Sequence, residues 1–256
     1  MDWVKAKTIL IIAFIFTNLF LAGNIYYTKI APQKNYFESK EAKESLIALL
    51  EKKGIKLTKE LDVDTPKMKS IIVVYQTPDK NILRQLKKGK LDIIGGKKLI
   101  FQGDFSKKLN INLAKKEAEK FLYEYGFSEE KLLKYARKKG DYIEVAYTGA
   151  HNGHFLEESY VKFKISSDGK FVMERLWLDE IREMEKGMAV MNSVEALTKA
   201  YEILPSNISI EEMELGYYFK LSKHFSAGNT KSATAFPFWR IKAIDGEYYY
   251  IDALDF

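Results

Sequence analysis

The chain contains no cysteine. That excludes a disulfide framework, thiol chemistry and a lipoprotein anchor, and it suits an exported protein stabilised by its core alone. A second long apolar run is also missing, so a multi-span transporter or channel is excluded. Catalytic signatures are scarce. Ser222 and His224 are two apart, with no nucleophile elbow or oxyanion loop around them. Gly95-Gly96-Lys97 lacks the spacing of a phosphate loop. The paired acids Glu157-Glu158 and Glu211-Glu212 are adjacent, so on a regular strand their side chains diverge, a poor start for two-carboxylate glycosidase chemistry. His151-Asn152-Gly153-His154, with Glu157 and Glu158 nearby, has the letters of a metal site. Two histidines flanking a tight turn are cross-strand neighbours, however, and fall short of the three or four ligands zinc requires. The reading is turn residues, with no metal, no cofactor and no catalytic group.

One apolar run is present. Residues 8–27 read TILIIAFIFTNLFLAGNIYY without a formal charge, and about twenty such residues cross a hydrocarbon core. Ile, Leu and Phe occupy every face of the projected helix, whereas a soluble core helix would show a polar stripe. A cleavable signal peptide needs small residues one and three positions before the cut. Cutting after Ala22 places Phe20 at the third position, after Gly23 Leu21, and after Ala31 Lys29. We therefore expect a retained transmembrane helix over 8–28, a cytoplasmic head over 1–7 and a linker over 29–36. Lys5 and Lys7 orient the N-terminus inside, although Lys29 and Lys34 follow the span, and the bulk of the chain is then extracytoplasmic. Trp3, Tyr26 and Tyr27 fit the interfacial aromatic belts.

Asn18 is the polar residue of interest inside the span, because an amide in hydrocarbon gains about 0.6 to 2 kcal/mol by bonding to a neighbouring helix. Bonding back to its own carbonyl one turn earlier is the alternative, and both stay open. Ala13 and Thr17 form a small-xxx-small pair that permits close approach of a second helix.

The remaining length suffices for one large domain or two small lobes. Helical stripes are expected over 40–53, near 81–88, over 113–125 and over 194–204. Strands are expected over 70–77, 91–94, 98–102, 213–221, 238–244 and 247–252. Asn152-Gly153, Asp168-Gly169 and Asp245-Gly246 each mark a hairpin with a two-residue, positive-φ turn. The fold class is α+β, with a mainly antiparallel sheet and packed helices. A first lobe is assigned to 37–109 and a second, β-rich lobe to 110–256. Helix followed by antiparallel strands occurs twice, in pattern and not in letters.

The net charge of +6 comes from scattered lysine pairs such as Lys97-Lys98, Lys107-Lys108 and Lys115-Lys116, mostly solvated faces. On an extracytoplasmic domain the excess does not mean nucleic acid; anionic headgroups or wall polymers are the available partners. The aromatic-rich ending, with Trp239, Tyr248 and Tyr250 as the partner-binding candidates, reads either as core alone or as core plus an interface.

Met1-Asp2-Trp3 with Lys5 and Lys7, the Ile- and Phe-rich thread carrying Asn18, and the Tyr-rich exit resemble the start of YycI (WalI) family proteins. The closing stretches Pro237-Phe238-Trp239-Arg240-Ile241 and Tyr248-Tyr249-Tyr250-Ile251-Asp252-Ala253 are similar to that family's layout too. The ending also looks like small helix-plus-sheet modules of the PepSY type. The YycI resemblance implies a non-enzymatic membrane regulator that acts with YycH on the WalK sensor histidine kinase in control of cell-wall metabolism. It also implies an ectodomain like the later domains of YycH. A homo-oligomer stays open. The competing classes are an exported, membrane-tethered wall hydrolase and an anionic-polymer or peptide-binding module.

Overall fold

Local signals place the helices. In the computed structural model, which describes residues 3–25, 40–64, 66–86, 89–127, 129–185, 187–218 and 232–254, α1 covers Trp3–Ile25. At roughly 1.5 Å per residue it is about 34 Å long. Residues 13–21 are exposed on every face of it. Among the described residues no helix is long and apolar enough to cross a membrane. The side chains of residues 8–10, 12 and 22–25 lie outside that description, so the span stays a reading of the sequence. Tyr26, Tyr27, the linker over 29–36, and the Ser222 and His224 pair also lie outside the described residues.

The spacing predicts one buried stripe of Ala42, Leu46, Leu49 and Leu50 along helix α2 (Lys40–Lys52); the helix buries Ala42, Leu46 and Leu50, while Leu49 is exposed. Gly54 ends it at φ +73°, where a non-glycine residue is strained. Strands β1 (Lys56–Leu57), β2 (Lys67–Met68) and β3 (Ile71–Tyr75) follow, then α3 (Lys80–Leu86) and the hairpin β4 (Lys90–Ile94) and β5 (Lys98–Asp104). Helix α4 (Ile111–Glu124) starts two residues before the expected position, because Asn110 caps it by accepting from the Leu113 amide. Strands β6 (Lys131–Lys139), β7 (Tyr142–His151), β8 (His154–Ser166), β9 (Lys170–Leu176), β10 (Leu178–Glu183) and β11 (Met188–Ala189) come next. Asn192 caps α5 (Ser193–Ala200) in the same manner through the Glu195 amide. Strands β12 (Ser209–Tyr218), β13 (Ser232–Ala243) and β14 (Tyr248–Asp252) complete the order.

Three hairpin turns were expected to share one geometry, and only one has it. Asn152 and Gly153 both take positive φ, as a two-residue turn between His151 and His154 requires. At Asp168-Gly169 and Asp245-Gly246 only the glycine is positive. There the Gly169 amide bonds to the Ser166 carbonyl, and the Gly246 amide to that of Ala243. These are longer loops in which a common turn precedes the one left-handed glycine.

The architecture is α+β. Twelve strands form one mainly antiparallel sheet whose main path runs β10-β3-β13-β12-β8-β9-β5-β4, with β14 on β13, β6 on β7 and β7 on β8. Parallel pairing occurs where β12 meets β1 and β8. Buried apolar residues fall into two clusters. One gathers Leu46, Leu50, Ile71, Val73, Val194, Leu197, Trp239 and Ile251 from α2, β3, α5 and β13–β14. The other gathers Leu99, Phe121, Leu122, Val145, Phe163 and Met173 from β5–β9 and α4. Buried residues from Leu86 to Trp177 build one core, and the segments on both sides of it, joined by Leu156 of β8, build the other.

Candidate functional site

Strand β8 belongs to both cores. Leu156 packs in the first, while Val161, Phe163 and Ile165 pack in the second. Between them the ladder jumps from Thr148↔Tyr160 to Gly149↔Leu156, so residues 157–159 bulge from the sheet. Buried bonds hold the bulge. The Thr148 hydroxyl donates to the Leu156 carbonyl at 2.9 Å and lies 3.2 Å from that of Ser159. The Ser159 hydroxyl accepts from the Leu178 amide at 3.1 Å. Gly149 leaves the space: a Cβ there would stand 2.6 Å from Ser159 Oγ.

The bulge aims Glu157 into a charged seam. Glu157 accepts from Arg240 Nη1 at 3.0 Å and from the Lys134 ammonium. Arg240, only 2% exposed, also donates through Nε and Nη2 to Glu214 at 3.1 and 2.7 Å. Its guanidinium lies 4.1 Å above the Phe155 ring. Lys134 Nζ reaches the Tyr250 hydroxyl at 3.3 Å, and the Tyr248 hydroxyl donates to the Lys134 carbonyl at 3.0 Å. Four strands from both halves, β6, β8, β12 and β13, thus meet through charge, with β14 supplying two tyrosines. Burial lowers the Lys134 pKa against the pull of Glu157. Burial also opposes the charge of Arg240, but the carboxylates of Glu214 and Glu157 outweigh it and hold the guanidinium above its ordinary value. The Tyr248 hydroxyl is pushed up to about 12, mainly by burial. Tyr250 is raised further, by burial and then by the Glu157 charge.

Three aromatic residues were singled out in advance. Tyr248 and Tyr250 are half-buried and line the seam, and Tyr250 stacks on Tyr218 at 5.1 Å. Trp239 lies in the first core, 8% exposed, with Nε1 donating to the Met191 carbonyl at 2.8 Å. Strict alternation fails around it, because Trp239, Arg240 and Ile241 are all buried: β13 is covered on both faces. In α1, the Thr17 hydroxyl donates to the Ala13 carbonyl at 2.9 Å and the Asn18 amide to that of Phe14 at 2.8 Å. That bond uses one of the four bonding sites of an amide. The histidine pair anchors its turn: His151 Nε2 lies 3.3 Å from Glu183, and His154 Nδ1 lies 3.0 Å from the Leu215 carbonyl. Among the described residues no group of three His, Cys, Asp or Glu side chains could hold a metal ion.

Sequence reasoning passed over Lys134, Glu214 and Arg240. The available signal was a charge inside the apolar stretch Phe238-Trp239-Arg240-Ile241, since a buried charge requires a partner. It also treated Glu157 and Glu158 as diverging on a regular strand, which the bulge overrides. A cleft of about 740 Å³ opens elsewhere, beside Gly103, Tyr142, Lys164, Lys170 and Phe171. Its cations are already engaged: Lys170 pairs with Asp168, and Lys164 sits 3.9 Å over the Tyr142 ring.

Fold and seam together define an α+β protein, mainly antiparallel, in which two cores share one strand and are joined by a buried charge network. Within that class the chain belongs to the YycI family, whose model, described as YycI protein, matches residues 33–254. This membership supports a role in the YycH, YycI and WalK regulatory system. No curated protein matches the sequence. Among solved structures, an uncharacterized protein from Eubacterium rectale is similar in fold, with 12% identity and a TM-score of 0.50 over 82% of this chain and 96% of that one. The C-terminal domain of Bacillus megaterium YpeB aligns at 11% identity and a TM-score of 0.38, over 84% of this chain and 92% of that one.

Proposed function

We propose that this chain is a non-enzymatic, single-pass membrane protein that acts with a YycH-like partner on a WalK-type sensor histidine kinase. The system it serves controls cell-wall metabolism. Family membership over residues 33–254 is the observation that carries the reading. The charge-free run over 8–27 supports an anchor, and Lys5 and Lys7 ahead of it support an N-terminus in the cytoplasm.

A regulator of this kind shifts a two-state kinase only by contacting the two states unequally, since equal affinity shifts nothing. Two surfaces serve that purpose. In the bilayer, Ala13 and Thr17 allow a helix to approach, and Asn18 offers amide bonds to it. Outside it, the exposed parts of Tyr248 and Tyr250 offer aromatic contact next to the seam.

In-cell photo-cross-linking from positions across residues 8–27, with mass identification of the captured proteins, tests the reading. A histidine kinase and a YycH-like protein are the expected products. Capture of neither, at normal expression, would overturn it.

A further inference from the structure

Among the described residues the seam is not charge-balanced. Three carboxylates, Glu157, Glu158 and Glu214, share it with two cations, Lys134 and Arg240. Lys134 is bound to Glu157, and Arg240 divides its bonds between Glu157 and Glu214. Glu158 follows Glu157 in the same bulge, is only half exposed, and makes no ion pair among the described residues. The titratable groups whose charge acts on it, or on which its charge acts, are Tyr75 from β3, Lys134 from β6, Tyr218 from β12, and Glu157 and Tyr160 from its own strand. The three tyrosines supply no positive charge, and each is held above its ordinary pKa, foremost by burial. Among the described residues, one surplus negative charge therefore sits where β8 passes from one core to the other.

We propose that Glu158 is a proton-operated latch: one proton on its carboxyl cancels the surplus charge at the seam, and loss of that proton loosens the junction between the two cores. The second observation behind it is where β8 and β12 touch. Their parallel contact is short, Gly216↔Phe155 and Tyr217↔Leu156, and it ends where the bulge begins. Repulsion between Glu158 and Glu157 acts directly on that joint. Burial first, and the Glu157 charge second, push the Glu158 carboxyl up to about 7 against the opposing pull of Lys134. The folded chain then holds this proton more tightly than the unfolded one. Its stabilisation is complete below the ordinary Glu value and is lost as pH rises through about 7. The latch rests on the seam geometry and does not depend on the kinase reading.

The test uses the full chain in lipid nanodiscs, with thermal unfolding followed by tryptophan fluorescence between pH 5 and 8.5. The wild-type midpoint should fall across that window by on the order of 5 °C, while Glu158→Gln should hold its midpoint. Equal pH slopes in the two proteins would overturn the latch. A second measurement stands if the variant fails to fold. In the wild type, hydrogen exchange at the β8 and β12 amides beside the bulge, corrected for its intrinsic pH dependence, should rise about tenfold relative to α4 between pH 6 and pH 8. Unchanged relative protection there would overturn the latch as well.

Discussion

Arg240 and Glu157 join the two cores: Nη1 of the β13 arginine donates to Oε2 of the β8 glutamate at 3.0 Å, with their side chains 2% and 12% exposed. Each charge also has a second partner, Lys134 for Glu157 and Glu214 for Arg240, so the cost of taking these ions out of water is shared over the network. The pair ties strands 83 residues apart in sequence. Whatever moves this contact moves both halves of the sheet.

Arg240→Met should lower stability by about 2 to 4 kcal/mol, since Glu157, 12% exposed, and the third-exposed Glu214 lose their shared cation while Lys134 still pairs with Glu157. Urea unfolding of the full chain measures this. A loss under about 1 kcal/mol would show the network to be solvated and the seam to be held by packing alone.

The bulge should depend on Thr148 and Gly149 through different physics. Thr148→Val keeps the volume but leaves the buried Leu156 carbonyl without its hydroxyl donor, at a cost of about 1 to 3 kcal/mol. Gly149→Ala drives a methyl into Ser159, so the bulge must shift. Both substitutions should flatten the pH dependence assigned to Glu158, because each frees the carboxylate to reach water. Unchanged pH profiles would show that the bulge does not aim it.

Gly216→Ala tests the β8–β12 joint. A Cβ at residue 216 would stand 2.3 Å from Cδ1 of the Phe155 ring, so β12 must move from β8 or Phe155 must leave its place under Arg240. We expect a loss of about 1 to 3 kcal/mol, with hydrogen exchange rising first at β12. Exchange rising uniformly over both cores would mean that the joint is not the weak point.

Glu144 contributes to the acid side of the stability profile. It is 4% exposed, 3.3 Å from both Arg137 Nε and Lys162 Nζ. Burial raises its pKa, but Lys162 and Arg137 outweigh that and hold the carboxyl below its ordinary value. The stabilisation it contributes is present above the unfolded-state value and is lost as pH falls through the lower, folded one. Glu144→Gln should therefore soften unfolding below about pH 4.5, leaving the limb near pH 7 unchanged. Circular dichroism during acid titration would detect an unaltered acid limb and reject the assignment.

Asn18→Leu should weaken contact between α1 and its partner helices by about 0.6 to 2 kcal/mol while export and folding persist. Cross-linking yield within the membrane is the readout. An unchanged yield would assign Asn18 to the intrahelical bond with Phe14 alone.

Much of the fold was legible in advance. The stripe Ala42, Leu46, Leu49 and Leu50 announced α2, although Leu49 stays exposed, and Asn152-Gly153 announced its hairpin, because periods of 3.6 and 2 and the need for positive φ are local properties. Helix starts were less well read: α4 and α5, capped by Asn110 and Asn192, begin at Ile111 and Ser193, two and one residues before the first residue of each expected helix. The site was the least legible part. Trp239, Tyr248 and Tyr250 were read either as core alone or as core plus an interface; the structure puts Trp239 in the core and the two half-buried tyrosines along a charged seam.

Sequence by itself determined the elements, the apolar character of residues 8–27 and the mainly antiparallel class, since each follows from neighbours within a few positions. Only the tertiary structure decided that β8 would serve both cores, that a three-residue bulge would turn Glu157 and Glu158 into the seam, and that Lys134, Glu214 and Arg240 would meet there. The physical reason is that charge pairing and strand order act between residues far apart in the chain. No local period records which of many distant partners will neutralise a buried charge.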